Sequence, residues 1–238
     1  MFRNPNRLGS VGNVGRSFAR QEIPRCSVVR EDQSGTTRLN YPRKIWRHLL
    51  KRWWALWSPT LLRVEGVVLG KGVVFYGVAI VERRIGSSID IGSGTVLCSD
   101  SRFTALGVNH PVILRTMQEG ATIRIGRNVG LSGTTICAAC EVSVGDECLF
   151  GANVIIADTD FHPIQPAGRR FSSDSSSIGV AKVKIGRNVF IGANSIVLKG
   201  VVVGDNSVIG AGSVVTREIP ANSLAAGCPA VVLRQIGR

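Results

Sequence analysis

The stretch IADTDFHPIQ, Ile156 to Gln165, contains His162, one of three histidines in 238 residues. With a reference pKa of about 6.5, an imidazole is largely free base near neutral pH and can take the proton of a hydroxyl as its oxygen attacks. Asp158 and Asp160 precede it closely. Each reads either as a group that orients the ring or holds an acceptor, or as an ordinary turn aspartate. Arg169 and Arg170 follow in the same segment, as cations for an anionic part of an acceptor or as solvated loop charge. Cys137 and Cys140 form a CxxC, but "TTICAACEVSVG" has the alternation of a strand, and no second pair accompanies it for zinc. These thiols read as small buried hydrophobes.

The elements that must carry His162 are visible as a repeat. Blocks of six from Ile185 read IGRNVF, IGANSI, VLKGVV, VGDNSV, IGAGSV and VTREIP, each opening on Ile or Val. Upstream copies begin at Ile125 and Leu131, at Val144 and Phe150, and more faintly at Ile91 and from Val68. A period of six fits three short strands per turn, separated by tight corners. The aliphatic residue points inward, and Gly, Asn and Asp accept the corner conformations. The repeat stops at Phe161 and resumes after Lys182. The interval FHPIQPAGRRFSSDSSSIGVAK is rich in Pro, Gly and Ser and reads as a loop leaving the coil. Residues 99–120 form an earlier excursion that contains His110, read as structural.

These motifs resemble the hexapeptide-repeat acyltransferases over about residues 64–236. "VVVGDNSVIGAGSVVTREIPANSLAAGCPAVVLR" is similar to the C-terminal coils of bacterial galactoside and maltose O-acetyltransferases. "GLSGTTICAA" and "DTDFHP" are similar to acetyltransferases of exopolysaccharide and colanic-acid gene clusters. The resemblance implies an all-β solenoid, a left-handed parallel β-helix, which transfers acetyl from acetyl-CoA to a carbohydrate hydroxyl without a metal. It implies His162 as catalytic base. Ser132 would stand near the acceptor; Asp158, Asp160 and Arg170 are candidate acceptor contacts from their own place in the chain. Ala193, Ala211, Thr216, Arg217 and Arg234 would line the coenzyme site. Val231 stands where galactoside acetyltransferases carry a second arginine, so one phosphate contact is missing from the pattern. The resemblance further implies a homotrimer with sites between neighbouring prisms. Amino-sugar N-acetyl transfer, serine O-acetyl transfer and a non-catalytic scaffold are the competing readings. A γ-type carbonic anhydrase would need three histidines per zinc, and one of the three here lies in the N-terminal arm.

The net charge of +13 is uneven: residues 1–63 hold 13 of the 29 Lys and Arg and 3 of the 16 Asp and Glu. The repeat region is therefore nearly neutral, and no nucleic-acid recognition motif accompanies the basic segment, which argues against a nucleic-acid partner. Residues 1–40 are expected to be a disordered basic arm. Residues 41–63 are expected to be an amphipathic helix with Trp46, Leu50, Trp53 and Trp57 on one face, ended by Pro59. Such a helix either caps the open end of the solenoid or rests on an anionic membrane surface. The β-helix domain is expected over 64–238, with the active-site loop at 161–182. The cysteine usage suits a reducing compartment and the start lacks the apolar core of a secretory signal. The expected location is the cytoplasm, with peripheral contact at the inner membrane surface as the second reading.

Overall fold

Ile185, Ile191, Val197, Val203, Ile209 and Val215, the residues that open the six hexads, all point into one interior and are buried. In the computed structural model, which describes residues 41–171 and 174–237, Ile185 pairs in parallel with Val203, Ile191 with Ile209, and Val197 with Val215. Three hexads thus complete one coil. The upstream coils take longer steps, with Ile125 paired to Val144 and Thr135 to Ile155. The predicted basic arm, residues 1–40, lies outside the described residues.

Each coil contributes one strand to each of three parallel sheets, and the result is a left-handed parallel β-helix. The first sheet stacks Val68–Leu69, Ser88–Ile91, Thr122–Ile125, Glu141–Val144, Val183–Ile185 and Val202–Val203. The second stacks Val74–Tyr76, Val96–Cys98, Gly130–Ser132, Leu149–Phe150, Phe190–Ile191 and Val208–Ile209. It ends in an antiparallel hairpin, Ser223–Gly227 with Ala230–Gln235. The third stacks Ile80–Glu82, Ile113–Thr116, Thr135–Ala138, Ile155–Ala157, Ile196–Val197 and Val214–Val215. Each buried aliphatic side chain contributes roughly 1.5–3 kcal/mol, and stacking makes the interior continuous from coil to coil.

The corners explain the remaining letters of the hexad. Asn188, Asn206 and Asn222 adopt left-handed backbone angles of 53°, 59° and 57°, which Asn tolerates better than most residues. Their amides form a ladder, Asn188 Nδ2 to Asn206 Oδ1 and Asn206 Nδ2 to Asn222 Oδ1, both 3.0 Å. Gly145 and Gly192 meet a different demand. A Cβ at Gly145 would stand 2.6 Å from the Gly186 oxygen, and one at Gly192 would stand 2.4 Å from the Ala211 nitrogen.

The N-terminal helix, Tyr41–Val64, differs from expectation in two ways. Pro59 lies inside it rather than ending it, and the chain leaves instead through Gly66 at φ +77°. The face that packs on the first coil is Trp54, Ser58 and Leu62, with Leu50 at its margin, while Trp46, Trp53 and Trp57 face out. The reason is an aromatic cluster contributed from elsewhere in the chain. Phe103, from the excursion after Cys98, stacks on Tyr76 with centroids 4.9 Å apart and meets Trp54 edge-on at 5.4 Å. Arg47 and Lys51 lie over Phe103 and Tyr76, so two cations line the docked side. That excursion is also shorter than the expected 99–120, because Ile113–Thr116 is a regular strand of the third sheet. His110 sits within it, its Nδ1 2.8 Å from the Pro111 carbonyl.

Trp54 is 8% exposed and Trp53 59%, which separates their expected contributions. Trp54→Ala should lower the unfolding free energy by about 3–5 kcal/mol, whereas Trp53→Ala should change it by less than about 0.5 kcal/mol. Urea unfolding followed by far-UV circular dichroism checks both.

Candidate active site

The loop that interrupts the repeat leaves the third sheet after Ile155–Ala157 and returns at Val183. Its base is closed like a short zipper. Thr159 bridges Val180 in antiparallel fashion, the Asp160 N–H donates to the Gly179 carbonyl at 3.0 Å, and that of Ala181 to Asp158 at 2.9 Å. At the return, Lys182 pairs with Glu141 at 2.9 Å. The Lys182 hydrogen bond, assisted by Arg124, holds the Glu141 carboxyl below its usual range.

Asp158 is fully buried, and the structure assigns it a role other than holding an acceptor. Its carboxylate accepts the N–H groups of Ala139 at 2.6 Å and of Cys140 and Glu141 at 2.7 Å each. It therefore staples the corner one coil back. This accounts for the CxxC as well: Cys137 is buried in a strand, and Cys140 supplies a corner amide to the staple. Burial pushes the Cys137 thiol up, and that of Cys148 up to about 11, so both are neutral thiols at physiological pH. Among the described residues no group of three or more His, Cys, Asp and Glu side chains is placed to hold a metal ion.

Beyond the zipper the chain turns at Phe161, whose φ of 62° is unusual for an aromatic residue. The His162 N–H donates to the Asp160 carbonyl at 2.7 Å, and this tight turn carries the imidazole outside the coil. His162 is exposed. Asp160 Oδ1 pairs with Lys199 at 2.9 Å, while Oδ2 is buried and has no partner among the described residues. Lys199 was not singled out in the sequence. Its signal was its place in "VLKG", at the corner of the next coil, directly under the interruption.

The sequence-predicted residues divide between two corners of the prism. Asp160, His162, Thr216 and Arg217 follow strands of the third sheet, at its corner with the first. Val197 pairs with Val215, which sets Lys199 one coil from Arg217. Ser132, Ala193 and Ala211 lie at the neighbouring corner, where the second sheet gives way to the third. The Ala211 backbone contacts Gly192 there. Arg234 is exposed on the C-terminal hairpin, and Arg170 on the loop, beside Phe171. Within one chain a whole strand of the third sheet separates His162 from Ser132. A hollow of about 260 Å³ at the remaining corner is lined by Arg127, Asp146, Glu147, Arg187, Asn188 and Asn206. Three of its charges are engaged already, Arg127 with Asp146 at 2.7 Å and Arg187 with Asp205 at 3.1 Å.

The hexapeptide repeat of succinyl-transferase matches residues 141–157 and 182–217, on either side of the loop. A galactoside O-acetyltransferase of Escherichia coli (strain K12) is 41% identical over 118 residues, covering 49% of this chain and 56% of the relative. One from Lactococcus lactis subsp. lactis (strain IL1403) is 45% identical over 102 residues, covering 43% and 47%. The chain thus spans about half the length of these curated relatives. Among solved structures, the N-acyltransferase AntD from Bacillus cereus, in complex with dTDP and 3-hydroxybutyryl-CoA, superposes with a TM-score of 0.60. It is 19% identical and covers 76% of this chain and 90% of its own; the likeness is one of fold.

The staple can be tested against its neighbour. Asp158→Asn leaves at least one buried N–H without an acceptor and should lower stability by about 3 kcal/mol. Asp160→Asn loses a partly exposed ion pair and should cost less than about 1 kcal/mol. Equal urea midpoints for the two variants would remove the structural role assigned to Asp158.

Proposed function

We propose that this hexapeptide-repeat β-helix is an acetyl-CoA-dependent O-acetyltransferase acting on a carbohydrate hydroxyl, with His162 as general base. The observation that carries the reading is the turn at Phe161. It sets an imidazole, with no hydrogen-bond partner among the described residues, outside the coil where the repeat is interrupted. The similarity to galactoside O-acetyltransferases supports the acceptor class and the ester product. AntD, alike in fold, holds an acyl-CoA, which supports a coenzyme A thioester as donor.

The chemistry is direct transfer. His162 takes the proton of the acceptor hydroxyl as its oxygen attacks the thioester carbonyl. The C–S bond breaks, an ester C–O bond forms, and the sulfur leaves as the protonated thiol. Asp160 positions His162 through the main-chain hydrogen bond of the turn. Its carboxylate is in turn held by Lys199 through Oδ1. The exposed Arg217, beside Thr216, is placed for the phosphates of the coenzyme, and Arg234 is the second candidate cation. Ala193 and Ala211 offer main-chain groups, with side chains too small to obstruct a pantetheine arm. The acceptor belongs to exopolysaccharide or other cell-surface glycan synthesis, following the sequence likeness of "DTDFHP".

The division of these residues over two corners supports a site shared between chains. In a homotrimer of prisms, the His162 corner of one subunit faces the Ser132, Ala193 and Ala211 corner of the next. Sedimentation velocity should therefore give a trimer; a stable, fully active monomer would contradict it.

The activity is tested by thiol release from acetyl-CoA across sugars, sugar nucleotides, amino sugars and serine, with product mass and alkali lability distinguishing ester from amide. His162→Ala should reduce turnover by about 10²–10⁴ and leave acetyl-CoA affinity by calorimetry near that of the parent. Unchanged turnover would remove His162 from the reaction. An alkali-stable product alone would replace O-acetyl with N-acetyl transfer.

A further inference from the structure

The N-terminal helix has two apolar faces and the prism uses one. Trp54 and Leu62 are seated in the core, which fixes the helix about its own axis. Trp46, Leu49, Trp53, Leu56, Trp57 and Leu61 are left exposed. Their spacings of three, four and one place them on one continuous arc. At about 1.5 Å per residue, the ridge from Trp46 to Leu61 is on the order of 22 Å long. Trp53 and Trp57 lie against each other on it, with ring centroids 5.6 Å apart.

Charge decides what can cover such a ridge. From Tyr41 to Val64 the sequence contains six Lys and Arg and no Asp or Glu. Exposed Arg52 stands three residues after Leu49 and four before Leu56, and exposed Arg63 seven after Leu56, so cations border the arc. A second copy docking helix to helix would bring the same cationic segments together with no acid between them. Residues 1–40 are also net positive, with seven Lys and Arg against three Asp and Glu. The complementary partner is an anionic one. A ridge of tryptophan and leucine flanked by arginine is the chemistry of a helix lying in the headgroup region, with indoles at the polar boundary and guanidiniums on the phosphates. No helix among the described residues is long and apolar enough to cross a membrane, which fits a helix lying in the plane.

We propose that the exposed Trp46–Trp53–Trp57 face of the N-terminal helix docks this chain on an anionic lipid bilayer, while the Trp54–Leu62 face holds the prism to it. The inference does not depend on acyl transfer, and its test contains no acetyl-CoA.

The 238-residue chain is mixed with phosphatidylcholine vesicles, with and without phosphatidylglycerol, and bound protein is measured by co-sedimentation. Binding to the phosphatidylglycerol vesicles should be at least about tenfold tighter and should weaken as salt is raised. The triple variant Trp46→Ser, Trp53→Ser, Trp57→Ser should lose at least about tenfold in partition, with its thermal midpoint and sedimentation coefficient unchanged. Quenching of wild-type tryptophan emission by brominated phosphatidylglycerol, which requires no variant, should accompany binding. Absence of binding to phosphatidylglycerol vesicles, or of quenching, overturns the proposal. So does equal binding by the triple variant, which would assign the affinity to residues 1–40. A smaller sedimentation coefficient for the variant also overturns it, because the face would then belong to an interface between copies.

Discussion

One constraint governs this molecule: successive coils must approach within strand-pairing distance, about 4.8 Å, at the corners as well as along the sheets. Inside, that spacing stacks aliphatic side chains into a continuous core. At the corners it leaves no room for a Cβ where one coil's backbone crosses the next, as at Gly145 over Gly186 and Gly192 over Ala211. A chain built this way has smooth outer faces and little capacity for chemistry within the repeat. Room for a protruding loop comes only where the repeat is broken. The longest break after the first two coils is the loop between Ala157 and Val183, and the fold invests in its base: a buried carboxylate, an antiparallel bridge and an ion pair at the return.

The hexad was legible because it is a one-residue code, inside or outside, and each position could be assigned without knowing its neighbours in space. The residues opening every block from Ile185 onward are buried as that code requires. What escaped the sequence depends on partners far along the chain. The helix docks through a face other than the Trp46–Trp53–Trp57 stripe because Phe103, some fifty residues away, draws Trp54, Arg47 and Lys51 to its side. Asp158 reads in sequence as a ring-orienting or acceptor-holding group or as a turn aspartate, and not as a staple, because its three donors lie in the preceding coil. Lys199 was passed over because its partner, Asp160, lies across the loop.

The division of candidate residues over two corners was open to reading in principle. Counting hexads places Ser132 at one corner and His162 at the next, but the count has to be carried across the insertions that lengthen the early coils, as between Thr135 and Ile155. Once the corners are known, the proposed chemistry acquires a geometric requirement. The proposed proton acceptor, His162, and the proposed coenzyme track at Ala193 and Ala211 lie at different corners of one prism, so the proposal needs a second subunit to bring them together.

A crystal structure of the protein with coenzyme A bound tests that requirement most directly. The account predicts a pantetheine arm lying along Ala193 and Ala211 of one subunit, with its thiol directed at His162 of a neighbouring subunit. A coenzyme bound entirely against one prism, with its thiol remote from any His162, would contradict it.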